Sequence, residues 1–337
     1  MNNKSVILLM GTTASGKTDL VCRLYDEFSG KKIKIISVDS ALVFREMNIG
    51  TAKPSAQMLQ KYPHSLVDLI SPLQNYDVAN FCKDVKICIE NAIKNHQIPV
   101  LVGGTTMYFY ALLNGLADLP SANAEIRQQI DSDLQNFGLP YLYKKLQEVD
   151  EITAKRLSSN DSQRIQRALE VFYAAKIPLS KYAEKQRQNQ NQNSFLFKEN
   201  YQIHKFALYP QNPEQRAFLH QLIEQRFLQM LANGFINEVQ QIRQKYLPLG
   251  LTQNHSSMRC VGYRQVWQFL ENPDSNSQAD LIFKGIAATR QLAKRQITWL
   301  KNNKVLNADC QNFGISQNNS EREDLYLQLK KIVMENT

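Results

Sequence analysis

The stretch that most limits what this chain can become is Gly11-Thr12-Thr13-Ala14-Ser15-Gly16-Lys17-Thr18, which fits the pattern G-x-x-x-x-G-K-[ST]. Residues 5–10 (SVILLM) form a short apolar run that predicts a buried strand before it. Residues 19–28 carry Leu20, Val21, Leu24 and Phe28 at helical spacing after it. A strand, a glycine turn and a helix N-terminus aim consecutive backbone N–H groups at one anion. Gly11 and Gly16 permit the turn, Lys17 adds positive charge, and Thr18 offers a hydroxyl to a magnesium ion. The competing reading is a glycine-containing βα turn that binds nothing. With the full pattern and both flanks present, the sequence points to a di- or triphosphate ligand.

The same alternation continues. Residues 34–38 (KIISV) predict a second strand, ending in Asp39-Ser40, and residues 98–102 (IPVLV) another, running into Gly103-Gly104-Thr105. Between them, residues 77–95 read as a helix, and residues 62–70 give a weaker strand signal. Repeating β-α units imply a parallel sheet. From Leu116 the character changes: residues 120–200 show helical segments near 124–137, 140–149 and 161–175 and no convincing strand. They end in a polar tract, 184–194 (EKQRQNQNQNS), too polar to bury. Residues 203–208 (IHKFAL) then resume the sheet. A helix opened by Asn212, Pro213 and Gln215 runs to Gly234, and residues 258–270 and 278–301 predict two more. The last thirty or so residues read as a loop and a surface helix. The expected architecture is α/β: a P-loop NTPase-like parallel sheet flanked by helices, residues 1–117 and 201–337, with a helical insertion domain at 118–200.

In such sheets, residues just past the carboxyl ends of strands face the ligand crevice. Asp39 is therefore a site candidate, as a magnesium ligand, as a carboxylate base, or as a turn cap. Gly103-Gly104-Thr105 alone is more often a turn than a site. The net charge of +9 suits a polyanion-binding surface, or is simply a basic exterior. Arg290, Lys294 and Lys301 fall within roughly 40° on a helical wheel, beside an apolar stripe. Arg259 and Arg264 bracket Tyr263, and Arg164 and Arg167 repeat the theme at i, i+3. Five scattered cysteines form no zinc pattern and, being odd in number, exclude a complete disulfide framework; a reducing cytoplasm fits them. No run approaches a membrane span.

Several segments together resemble the bacterial tRNA dimethylallyltransferases, the IPP transferase family. They are Val38-Asp39-Ser40-Ala41-Leu42, Ile49-Gly50-Thr51-Ala52-Lys53-Pro54, Val102-Gly103-Gly104-Thr105, Gln163-Arg164-Ile165, Arg259-Cys260-Val261-Gly262-Tyr263-Arg264, and the run from Ala288 to Trp299, in this order after the P-loop. The resemblance implies transfer of a dimethylallyl group from dimethylallyl diphosphate to N6 of adenosine 37, 3′ of the anticodon, in tRNAs reading codons that begin with U. Diphosphate leaves and Mg2+ is required. It implies Asp39 as the base, Thr105 near the bridging oxygen, and Arg226 on the diphosphate; from the residues alone Arg226 is an ordinary helix-surface arginine. The loop Gly11 to Thr18 would hold the diphosphate, with Thr18 toward the metal. For the tRNA anticodon stem-loop the implied residues are Asp39, Ser40, Ala41, Leu42, Thr105, Arg127, Gln163-Arg164-Ile165-Gln166-Arg167, Arg259 to Arg264, and Lys294-Arg295-Gln296-Ile297-Thr298-Trp299-Leu300-Lys301. Thr12, Ser162 and Thr106 depart from the family pattern without removing a reacting group. The expected form is a cytoplasmic monomer without a membrane anchor. A P-loop kinase or NTPase acting on a small molecule, and an RNA-binding protein using the P-loop as a switch, are the rival readings.

Overall fold

The computed structural model describes residues 4–117, 119–120, 123–188, 194, 196, 200–271 and 277–336. Six strands form one sheet: β1 (Ser5–Gly11), β2 (Ile33–Val38), β3 (His64–Ser65), β4 (Ile98–Gly103), β5 (Gln202–Leu208) and β6 (Cys310–Phe313). Their order is β3-β2-β4-β1-β5-β6, and every pairing is parallel. β1 is buried along its whole length between β4 and β5, which is why it reads as an unbroken apolar run. The chain leaves β1 toward β2 on one side and reaches β5 on the other, so the carboxyl end of β1 is a topological switch point.

The chain divides into two compact units, residues 1–113 with 195–337, and residues 114–194. In the first unit the helix Lys17–Glu27 follows the P-loop and buries Leu20, Val21 and Leu24. Val78–Lys94, capped by Asp77, buries Phe81, Val85, Ile89 and Ala92. Short helices Ala56–Lys61 and Thr106–Asn114 complete the amino-terminal half. Asn212 accepts a hydrogen bond from Gln215 N at 2.9 Å and opens Pro213–Ala232. The reciprocal capping-box bond is displaced by one residue: Gln215 Oε1 accepts from Gln211 N (2.8 Å). The second unit contains Ala124–Val149, broken at Gly138, then Glu151–Arg156, Ser162–Ala175 and Leu179–Gln188. It buries its own core of Ile130, Leu142, Leu146, Ile165 and Leu169.

Several elements differ from expectation. The weak strand at 62–70 shrinks to His64–Ser65, with one isolated bridge between Phe44 and Ile70. The helix expected at 258–270 begins at Tyr263 (Tyr263–Glu271), because Gly262 sits at φ 92° and its predecessors form turns. Phe235–Tyr246 is a helix with no separate signal of its own. The carboxyl-terminal residues are not a surface appendage: β6 extends the sheet, and Ser320–Asn336 buries Leu325, Tyr326, Leu329 and Val333. In the polar tract, residues 184–188 end the helix Leu179–Gln188 and Ser194 is buried, while 189–193 lie outside the described residues. All five cysteines are free thiols. No helix among the described residues is long and apolar enough to cross a membrane.

Beyond the sheet, a second apolar cluster is organised around a buried carboxylate. Glu238 accepts hydrogen bonds from Asn48 N (2.9 Å), Ile49 N (2.7 Å) and Gly50 N (3.2 Å), and from the Tyr263 hydroxyl (2.5 Å). It thus ties the segment 48–54 to the start of Tyr263–Glu271. Burial and the Glu238 charge push the Tyr263 phenol far above its ordinary range. Glu238→Ala would leave four donors without partners and is expected to cost about 3 kcal/mol or more. Urea unfolding checks this: a loss under about 1 kcal/mol contradicts the role, since that is the size of one ordinary hydrogen bond.

Candidate functional site

The phosphate loop is shaped by its neighbour β5. Thr12 N donates to Leu208 O at 3.2 Å. A Cβ at Gly11 would lie 2.3 Å from that same oxygen, so the approach requires glycine. Ala14 (φ 59°) and Gly16 (φ 82°) turn left-handed, and the helix starts at Lys17. Lys17 Nζ donates to Thr12 O (2.5 Å) and Ser15 Oγ (3.1 Å), and Ser15 Oγ donates to Thr12 O (2.8 Å). Burial, and then the Arg226 guanidinium, push Lys17 down to about 7, with Asp39 pulling the other way. Arg226, half-buried on Pro213–Ala232, is itself held below its ordinary range by burial, against the fields of Asp39 and Asp19. The structure therefore brings Lys17, Arg226 and Asp39 into one electrostatic group. Helical spacing left Arg226 on the surface; only the resemblance marked it.

Asp39 ends β2. Its Oδ1 accepts from Ala41 N (2.8 Å) and Leu42 N (3.4 Å), so the turn-cap reading holds for one oxygen. Its Oδ2 makes no hydrogen bond among the described residues. Gly103-Gly104-Thr105, at the end of β4, forms a turn bonded to the one that bears Asp39. Thr105 N donates to Val38 O (3.2 Å), and Thr105 Oγ1 accepts from Ser40 N (3.0 Å). The threonine thus fastens the turn bearing Asp39 to the neighbouring strand end.

Thr18 is exposed at the mouth of the loop. No group of three or more His, Cys, Asp or Glu among the described residues could hold a metal.

The candidate nucleic-acid residues separate by exposure. In the larger unit Arg259, Arg264, Lys294 and Arg295 are exposed and make no ion pair among the described residues. Lys301 lies over the Tyr209 ring (5.7 Å), Trp299 sits edge-on to Tyr110 (5.8 Å), and Thr298 is exposed. Arg290 is instead paired with Glu224 (2.9 Å). In the insertion Gln163 and Arg164 are exposed, Arg164 paired with Asp161 and Gln166 bonded to Ser162. Arg127 and Arg167 both bind Glu170 at 2.6 Å, a buried carboxylate that holds the two guanidinium groups together.

Other residues of the same segments are buried: Ile165, Tyr263, Gln296, Ile297 and Leu300. Their side chains pack inward. Ile165, Ile297 and Leu300 fill cores, Tyr263 binds Glu238, and Gln296 bonds to the phosphate loop. Cys260 and Val261 are half-buried and Gly262 is buried in the turn beside them.

Sequence reasoning missed Arg322. Its Nη2 donates to Gly16 O (3.3 Å), and its guanidinium packs where a Gly16 Cβ would be, 2.8 Å from Cζ. The helix carrying it leans on Lys17–Glu27 through Arg23 with Glu323, and Lys330 with Glu27 (2.6 Å). No motif marks this arginine, because its partner lies 306 residues away.

Known proteins resemble this chain along most of its length. Residues 42–303 match the family model described as IPP transferase. The chain is 46% identical over 316 residues to a tRNA dimethylallyltransferase of Legionella pneumophila, covering 93% of this chain and 94% of the relative. It is 45% identical over 301 residues to that of Neisseria meningitidis, covering 89% and 90%. Two solved structures share the fold at 24% identity. One is the tRNA isopentenylpyrophosphate transferase of Bacillus halodurans (TM-score 0.64, 99% of this chain and 98% of that one). The other is a eukaryotic dimethylallyltransferase acting on tRNA (TM-score 0.78, 99% and 80%). With the match spanning most of its length, at this identity to full-length relatives, the chain belongs to the IPP transferase family.

Proposed function

We propose that the chain transfers a dimethylallyl group from dimethylallyl diphosphate to N6 of adenosine 37 in tRNAs that read codons beginning with U. The observation that carries this reading is the grouping of Lys17, Arg226 and Asp39 beside the phosphate loop. Two cations suit a diphosphate leaving group, and one carboxylate with a free oxygen suits a proton acceptor. An adenine amine is a poor nucleophile because its lone pair is delocalised into the ring. As N6 attacks the allylic carbon, the carbon–oxygen bond breaks and its electron pair stays on the bridging oxygen. Lys17, Arg226 and the loop amides hold the charge that develops there. Thr105 donates toward the reacting centre, and Asp39 Oδ2 takes the N6 proton. Magnesium, when bound at Thr18, supplies further neutralisation of the diphosphate. The target base must leave the stacked anticodon loop, which costs a few kcal/mol as an order of magnitude. The exposed Arg259, Arg264, Lys294 and Arg295 of the larger unit suit stem-loop phosphates.

Asp39→Asn retains an oxygen for the Ala41 and Leu42 amides but removes the base. It is expected to slow single-turnover prenyl transfer by roughly a hundredfold or more, with stem-loop affinity nearly unchanged. A parallel loss of binding and rate contradicts the assignment.

Lys17 gives a pH signature. Its ordinary value of 10.5 falls to about 7, so in the free protein it loses its proton progressively above that pH. A diphosphate restores the charge, so binding takes up a proton between about pH 7 and the ordinary lysine value, and affinity falls as pH rises, by up to about tenfold per unit. Below that window Lys17 is already charged and contributes no slope. Calorimetry in buffers of different ionisation enthalpy, above about pH 8 where the ligand is fully ionised, measures the uptake. Proton release, or binding independent of pH, contradicts it.

A further inference from the structure

The motif containing Gln296 belongs to the segment expected to meet RNA, yet this side chain faces the other way. Gln296 is buried on the helix Gln278–Asn302, while Lys294, Arg295 and Thr298 of the same turns are exposed. Its Oε1 accepts from Thr13 N at 2.9 Å, inside the phosphate loop. Its Nε2 donates to Gly104 O at 2.9 Å, in the turn after β4. We infer that Gln296 is a positioning residue for the isoprenoid diphosphate, clamping the phosphate loop to the turn that carries Thr105.

Three features support the clamp. Both amide atoms are engaged, one as acceptor and one as donor, so a side chain offering only one of these functions breaks half of it. Gly104 is shaped to receive it: a Cβ there would lie 2.5 Å from Gln296 Nε2. The connection then continues, since Thr105 Oγ1 accepts from Ser40 N next to Asp39. One buried amide therefore links the groups proposed to hold the leaving group with the turn that bears the proposed base. Neutrality matters as well as reach. An acceptor is needed at Thr13 N, but a full negative charge there would oppose an anion in the same loop.

Glu and Gln have nearly the same shape, so Gln296→Glu tests charge and donor loss with little change in packing. Gln296→Met removes both hydrogen bonds without adding charge. The inference rests on the phosphate loop being the diphosphate site, and the measurement is chosen to separate the two. Calorimetry of the full chain with inorganic diphosphate and magnesium is run beside fluorescence anisotropy with an anticodon stem-loop. Gln296→Glu is expected to weaken diphosphate binding by about a hundredfold and Gln296→Met by about tenfold, with stem-loop affinity within about twofold of the parent for both. Should Gln296→Glu fail to fold, as its melting curve would show, Gln296→Met carries the test through kinetics. KM for dimethylallyl diphosphate then rises about tenfold while stem-loop KM holds. Diphosphate binding equal to the parent in both variants overturns the clamp. So does loss of stem-loop binding with diphosphate binding intact, which returns Gln296 to the RNA surface. A parent protein that binds no diphosphate at all overturns the reading of the loop itself.

Discussion

A lysine ammonium buried at the end of a central strand is unfavourable by itself, and the surrounding structure answers to it. Lys17 has only a backbone carbonyl and a serine hydroxyl as partners, and its neighbour Arg226 makes its position worse. Desolvation of a cation beside another cation is tolerated where an anion is the natural third member. The fold provides a place for that anion through β1, which is buried throughout and ends in a turn that β5 crowds too closely for any side chain. The parallel order on both sides brings the ends of β2 and β4 to the same rim.

What holds that rim together is a small number of polar bridges between distant parts of the chain. Thr105 joins β4 to the turn after β2, Gln296 joins the phosphate loop to β4, and Arg322 braces Gly16 from the carboxyl-terminal helix. Glu238 does similar work away from the rim, gathering three amides of one loop and a tyrosine of another segment. Loops carry most of the reacting groups in such a sheet. Their geometry is set by side chains that are themselves ordered on helices, so the helix Gln278–Asn302 serves both the interior and the exposed basic face.

The parts legible in sequence were those whose burial is uniform or periodic. β1 and β4 are nearly continuous apolar runs, β2 is buried at Ile33, Ile35, Ile36 and Val38, β5 is buried over Phe206, Ala207 and Leu208, and the helix after Asp77 shows its stripe. β6 was not legible because, in Cys310–Phe313, the only buried residue is Phe313, as expected of a short edge strand. Glu238, Gln296 and Arg322 were missed or misplaced for one shared reason. A polar residue on a helix reads as solvent-facing unless its partner is known, and their main-chain partners lie roughly 190 to 306 residues away. Arg226 entered through resemblance alone, since its importance comes from Lys17 and Asp39, which local spacing cannot place.

The central claim is that the loop grips an isoprenoid diphosphate while a tRNA adenine receives its hydrocarbon. Incubating the purified chain with magnesium, dimethylallyl diphosphate and an anticodon stem-loop, followed by mass analysis of the released nucleosides, tests it most directly. One adenosine per stem-loop is expected to gain a single dimethylallyl group, with ATP neither required nor consumed. Unmodified adenosine together with brisk ATP hydrolysis would contradict it.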